Sequence, residues 1–259
     1  MRWVRTPGLA AGAVLIAGCN LLPRVSAPDN FGGFAPAAAE AARGEAPFTP
    51  PTACGGNLSP EQRMYLELVQ EMVKQGQNYA ALAHLDQLEK KASPAPQNVY
   101  LRAEALRGIG QPEPAGKLYR SLLDGCMAGH SLHGLGLLAA DAGHWAEAHD
   151  YLLRASRERP ASADVHNDLG MVLLLTGRRN DARREFLTAA ELDRKNPLPV
   201  ENLIVLLLLE GDPREAKRLA EHRKLTDKDV ERLGERARRL AERTNTGGAA
   251  ASLSSSPLE

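Results

Sequence analysis

Residues 164–193 read DVHNDLGMVLLLTGRRNDARREFLTAAELD. The first half is apolar from Leu169 to Leu175 and stops at Thr176-Gly177. The second half is charged, with Ala182, Phe186 and Ala189 recurring at the three- and four-residue steps of one helix face. A glycine just past the last apolar position closes a helix, because it accepts the left-handed cap. The stretch therefore reads as helix, turn, helix. Gly170 in the first helix and Ala182 in the second let the two backbones approach closely. Phe186, four positions beyond Ala182, fills the space between them.

The same unit recurs along the chain. Gly76, Gly110, Gly143, Gly177 and Gly211 are spaced 34, 33, 34 and 34, and Ala81, Ala115, Ala148, Ala182 and Ala216 keep step with them. Two independent series locked in phase mark a true repeat. The remaining positions agree: Leu135-Gly136, Leu152, Ala155 and Pro160 in the third unit; Leu68, Leu85 and Leu88 in the first; Ala103, Tyr119 and Leu122 in the second; Leu203 and Ala220 in the fifth. The period is that of the tetratricopeptide repeat (TPR), which this sequence resembles. The expected fold is all-α: a right-handed superhelical solenoid of about five TPR helix–turn–helix units over residues 58–225. Each unit cannot bury its apolar face alone, so neighbours stack. Leu225, Val230, Leu233, Ala237 and Leu240 then recur at helical spacing beneath a charged outer face, which reads as a capping helix over 226–243. Residues 244–259, TNTGGAAASLSSSPLE, read as a disordered tail.

The N-terminus, MRWVRTPGLAAGAVLIAGC, carries Arg2 and Arg5 ahead of a short apolar stretch, Gly8 to Ala17. That stretch is too short for a bilayer span of about 20 residues. It reads as a signal peptide over 1–18. Ile16-Ala17-Gly18-Cys19 matches the bacterial lipobox, so Cys19 is the expected lipidation site, its thiol taking diacylglycerol. Several acyl chains together give stable anchoring. Residue 20 is Asn rather than the Asp that retains lipoproteins in the inner membrane, which implies the outer membrane, on its periplasmic face. Residues 19–57 hold Cys19 and a stretch rich in Pro, Ala and Gly with no apolar periodicity, read as a flexible tether. As a coil it would span on the order of 35 Å.

The chain has 259 residues, 43% apolar and 25% charged, with 32 Lys and Arg against 32 Asp and Glu. That neutrality argues against nucleic acid as a partner. Aromatics at 4% are sparse for a β-sandwich or barrel. Of the three cysteines, Cys19 is assigned to lipid, which leaves Cys54 and Cys126 for a disulfide or two free thiols. The oxidising periplasm favours the disulfide. Its long loop would stabilise by roughly 4 kcal/mol in the ideal chain-entropy model.

No GxxxxGK[ST], HExxH or GxSxG motif occurs. Cys126, His130 and His133 lie close enough to be weighed as zinc ligands, but no second ligand pair stands nearby and Cys126 is better used in the disulfide. His144 and His149 read as solvated surface. No enzymatic activity, metal or cofactor is expected.

TPR arrays bind peptides or helices in a concave groove. By that resemblance, the groove positions are the second, fifth, ninth, twelfth and thirteenth of each unit. They fall on His130, His133, Leu137, Ala140 and Asp141; on Asp164, Asn167, Met171, Leu174 and Leu175; and on Leu198, Glu201, Val205, Leu208 and Leu209. Units one and two are more polar, with Arg63, Gln70, Lys74, Gln97, Glu104 and Arg107. The run LIVLLLL, Leu203 to Leu209, is apolar all round its helix and needs a cover on its groove face. An incoming amphipathic helix or apolar peptide is one cover. The chain's own tether or capping helix is another, and tight mutual packing is a third.

Lipobox, tether, a Cys just ahead of the repeats and about five TPR units together resemble the TadD lipoproteins of the tight-adherence (Tad, Flp pilus) machinery. That resemblance implies a pilotin or scaffold that assists an outer-membrane secretin subunit. The PilF/Tgl-type pilotin of type IV pili is a near neighbour, and a TPR adaptor for cell-wall enzymes is the reading from another class.

Overall fold

The glycine-punctuated pairs fold as five stacked helical hairpins followed by one long helix. The computed structural model describes Cys54, residues 58–90 and residues 95–253, with side chains through Glu242. The segment 1–18, Cys19 and nearly all of the stretch 19–57 lie outside the described residues, as do residues 254–259. The hairpins pair α1 (Pro60–Lys74) with α2 (Asn78–Glu89), α3 (Pro96–Gly108) with α4 (Pro112–Arg120) and α5 (Ala128–Asp141) with α6 (Trp145–Glu158). They continue with α7 (Ala163–Leu175) and α8 (Arg179–Leu192), then α9 (Leu198–Leu209) and α10 (Pro213–His222). The final helix is α11 (Asp227–Leu253), which continues past the boundary at 243 that the sequence suggests. Every element among the described residues is a helix, as the TPR reading expects.

Local chemistry sets the helix ends. Ser59 and Gln62 close a capping box at the start of α1, with Pro60 in its first turn. Asp212 caps α10 through the amide of Glu215, and Thr226 and Asp229 bond reciprocally to start α11. The five repeat glycines all have φ between 71° and 79°. After α7, the amide of Gly177 donates to Leu174 O at 3.1 Å and that of Arg178 to Leu173 O at 2.8 Å. This double closure satisfies carbonyls that the helix end would leave unpaired.

Packing within each hairpin depends on the small position. A methyl placed on Gly170 would lie 2.7 Å from the Phe186 ring, and one on Gly136 2.6 Å from Leu152. Units three and four accordingly hold their helices closest. Units one and five carry Val69 and Ile204 at this position, both buried, and their helices sit less intimately. The largest core cluster runs through units three to five and takes in Leu233, Ala237 and Leu240 of α11. A smaller cluster joins α1, α2 and α3.

Cys54 and Cys126 form a disulfide with Cα atoms 5.4 Å apart. It fastens the chain ahead of α1 to the connector before α5, where Leu122 and Met127 pack around it. Gln97 Nε2 donates to Cys54 O at 2.7 Å, fixing the same strand of backbone to α3.

Candidate partner-binding groove

The first helices of the hairpins, α1, α3, α5, α7 and α9, carry the side chains that the sequence assigns to the groove. The structure divides that line into two regions. Over α3 and α5 the lining is polar and ionised. Glu104 pairs with Arg107 at 2.9 Å and accepts a hydrogen bond from the Tyr119 hydroxyl. Burial alone would raise the Glu104 carboxyl, but the Arg107 charge and the hydrogen bonds of Tyr119 and Arg107 outweigh it and hold it below the usual range. Burial and the neighbouring Glu104 carboxylate push the Tyr119 hydroxyl well up.

His133 joins α5 to α7 through a 2.7 Å hydrogen bond between Nε2 and Asp168 Oδ2. Asn167 Nδ2 donates to Asp168 Oδ1, and Asn202 Nδ2 donates to Asn167 Oδ1 at 2.7 Å. The fifth position of one unit thus meets the sixth of the next, and this polar ladder runs across α5, α7 and α9. Asp141 ends α5 exposed, with Arg107 and Asp168 in electrostatic range. His130, assigned to the groove from its position, is buried with its ring against the edge of Tyr100, centroids 5.5 Å apart. Burial, with the charge of Arg159 adding to it, holds its pKa down at about 3, so the ring is neutral. Asn167 is likewise buried within the ladder. Leu137 is half-buried against the main core.

The apolar lining lies over α7 and α9, and α11 is laid on its α9 part. Met171, Leu174 and Val205 are buried, while Leu175, Leu208 and Leu209 are half-buried at the same cluster. Glu201 receives both Nη1 and Nη2 of Arg232, at 3.3 and 3.0 Å, and Arg236 Nη2 approaches Met171 Sδ at 3.7 Å. Of the three covers that the sequence leaves open for Leu203–Leu209, the structure places the chain's own last helix there. A helix that simply stacked on the end of the array would meet unit five alone. The body of α11 lies along α9, and Arg236 reaches from it to Met171 at the edge of unit four.

Tyr119, Asp168 and Asn202 are not marked by the sequence reading, yet they form the buried hydrogen-bonded network beneath the groove. Asp168 and Asn202 share the sixth position of their units, and that recurrence was the available signal. Tyr119 stands at the repeat position that Phe186 fills in unit four; its ring fills space against Gly134, and its hydroxyl donates to Glu104. Among the described residues no group of three His, Cys, Asp or Glu side chains is placed to hold a metal ion.

The TPR repeat-containing protein PA4299 of Pseudomonas aeruginosa is 39% identical to this chain over 202 residues, covering 78% of this chain and 81% of that protein. The solved structure of Pseudomonas aeruginosa PilF superposes with a TM-score of 0.56 at 20% identity, over 72% of this chain and 87% of that one. A thermophilic TPR protein of Thermus thermophilus gives 0.51 at 23% identity, over 69% and 98%. No protein-family model matches the chain. The two structures share the fold, an all-helical TPR solenoid. On the strength of the sequence match, this chain belongs to the family of TPR repeat-containing proteins that includes PA4299.

Proposed function

We propose that this chain is a non-enzymatic lipoprotein held on the periplasmic face of the outer membrane through Cys19. It takes a segment of a secretin subunit into its groove and assists that subunit's localisation or assembly in Tad/Flp pilus biogenesis. The observation that carries the reading is the groove over α3 and α5, where α11 does not reach. Exposed Asp141 borders it, beside the Glu104–Arg107 and His133–Asp168 pairs, whose side chains keep a small exposed fraction along the stack of helices. Rigid presentation of polar groups is how a repeat array reads an extended segment. The lipobox supports the second half of the reading. Lipid and groove acting together raise the effective concentration of a bound subunit at the membrane.

The test is co-purification from membranes with the secretin of the same cell, scored together with palmitate labelling of the wild type and of Cys19→Ser. Secretin multimers that co-purify with wild type and lose their membrane placement in Cys19→Ser support the reading. Capture of peptidoglycan hydrolases without secretin contradicts it. The fold shared with PilF favours one second reading, a pilotin of a type IV pilus, which would co-purify with that system's secretin instead.

A further inference from the structure

In the other units, the first helix stacks chiefly on the second helix of the unit before it, as α7 does on α6 and α9 on α8. The last helix departs from this rule: α11 lies against α9 and only marginally against α10. Leu233, Ala237 and Leu240 form a stripe at i, i+4 and i+7, all buried in the cluster that holds Met171, Leu174 and Val205. Arg232 at i−1 clamps Glu201 with both terminal nitrogens, and Arg236 at i+3 meets Met171 Sδ. This is the pattern by which an amphipathic helix docks in an apolar groove.

The connector into α11 has a feature that the other turns lack. Lys224 has φ +56°, the sole non-glycine residue with positive φ among the described residues. Its amide donates to Glu221 O and that of Leu225 to Ala220 O, closing α10 as the glycines close the first helices. A side chain in the left-handed region is strained. The foot of α11 is therefore held in a conformation that its own sequence disfavours.

We infer that α11 is a replaceable occupant of the groove along α9, up to its edge with α7. It stands in for a partner helix with leucine or alanine at i, i+4 and i+7 and arginine at i−1 and i+3. Such a helix competes with α11 for Glu201 and the Met171–Val205 lining, and binds when α11 swings away about Lys224. This surface is distinct from the polar groove over α3 and α5, and its test uses only residues of this chain. Its failure would leave the secretin reading standing.

Two measurements test it. The first is native-state hydrogen exchange on the unaltered full chain. The amides of residues 228–240 are expected to open in a step of their own, before those of α7 and α9. Exchange of α11 only with global unfolding overturns the inference. The second uses a labelled peptide of residues 227–242, DKDVERLGERARRLAE, added to the full chain and to its Leu233→Glu/Leu240→Glu variant. If α11 is open 0.1–10% of the time, the variant binds the peptide about tenfold to a thousandfold more tightly than wild type. Adding Glu201→Arg weakens that binding, and a peptide carrying Arg232→Glu restores it. Equal binding to both chains overturns the inference. So does loss of the cooperative unfolding transition in the variant, which would make α11 an inseparable part of the core.

Discussion

Gly170 has no room for a methyl group, and the Phe186 ring that blocks it is itself fully buried. Gly170→Ala is expected to destabilise by about 1–3 kcal/mol, the usual cost of overpacking a tight core; chemical denaturation would measure it. The same substitution at Ala103 is already present in unit two, where the helices sit further apart. These small positions were legible because they are periodic. His130 was not, because position alone does not say which neighbour covers a side chain. Tyr100, from the preceding unit, closes over it. Its consequence is pH dependence. An unfolded histidine takes up a proton near pH 6.5, whereas the folded ring stays neutral to about pH 3. Stability is therefore expected to fall as pH drops below about 6.5, by at most about 1.4 kcal/mol per pH unit from this group. His166 acts in the opposite sense. Its hydrogen bond to Glu185 raises its pKa, so its contribution is complete below about pH 6.5 and is lost as pH rises through the folded value. Thermal melts from pH 4 to 8 separate the two: His130→Gln flattens the loss below about pH 6.5, whereas His166→Gln lowers stability evenly on that side and removes the fall above it.

At the scale of the element, the disulfide and α11 are the two ties between distant parts of the chain. Cys54 and Cys126 are 72 residues apart, and the bond closes a loop around units one and two. The Cys54→Ser/Cys126→Ser variant is expected to lose about 2–5 kcal/mol. The loss should show as earlier melting of α1–α4 in fragment-resolved hydrogen exchange, with units four and five least changed, because the cluster of Ala103, Ala115, Tyr119 and Leu135 couples unit two to unit three and no further. An element's existence was easy to read from sequence: α11 announces itself by Leu233, Ala237 and Leu240. Its docking place was not. Amphipathicity says that a face is buried, and leaves open against what. The apolar run Leu203–Leu209 carried the complementary half of that information. Sequence reasoning recognised that α9 needs a cover, and the structure supplies α11 for it.

At the scale of the whole molecule, the array is a graded surface. Its first-helix line is polar over α3 and α5, bridged by a hydrogen-bonded ladder across α5, α7 and α9, and covered by a helix along α9. The even spacing of glycines and alanines dictated the solenoid, since no other arrangement buries five identical apolar faces. The gradation was less legible, since it rests on pairs such as His133–Asp168 and Asn167–Asn202 that lie 35 residues apart. Net neutrality acquires a meaning here: attachment would come from lipid and groove, with no need of a charged patch. The most direct test of the central claim is site-specific photocrosslinking in cells. A photoreactive residue replaces exposed Asp141 at the open groove in one variant, and exposed Lys217 on α10 in the other. A secretin adduct is expected from position 141 and none from 217. An adduct from 217 alone, or from neither position while the pilus still assembles, would contradict it.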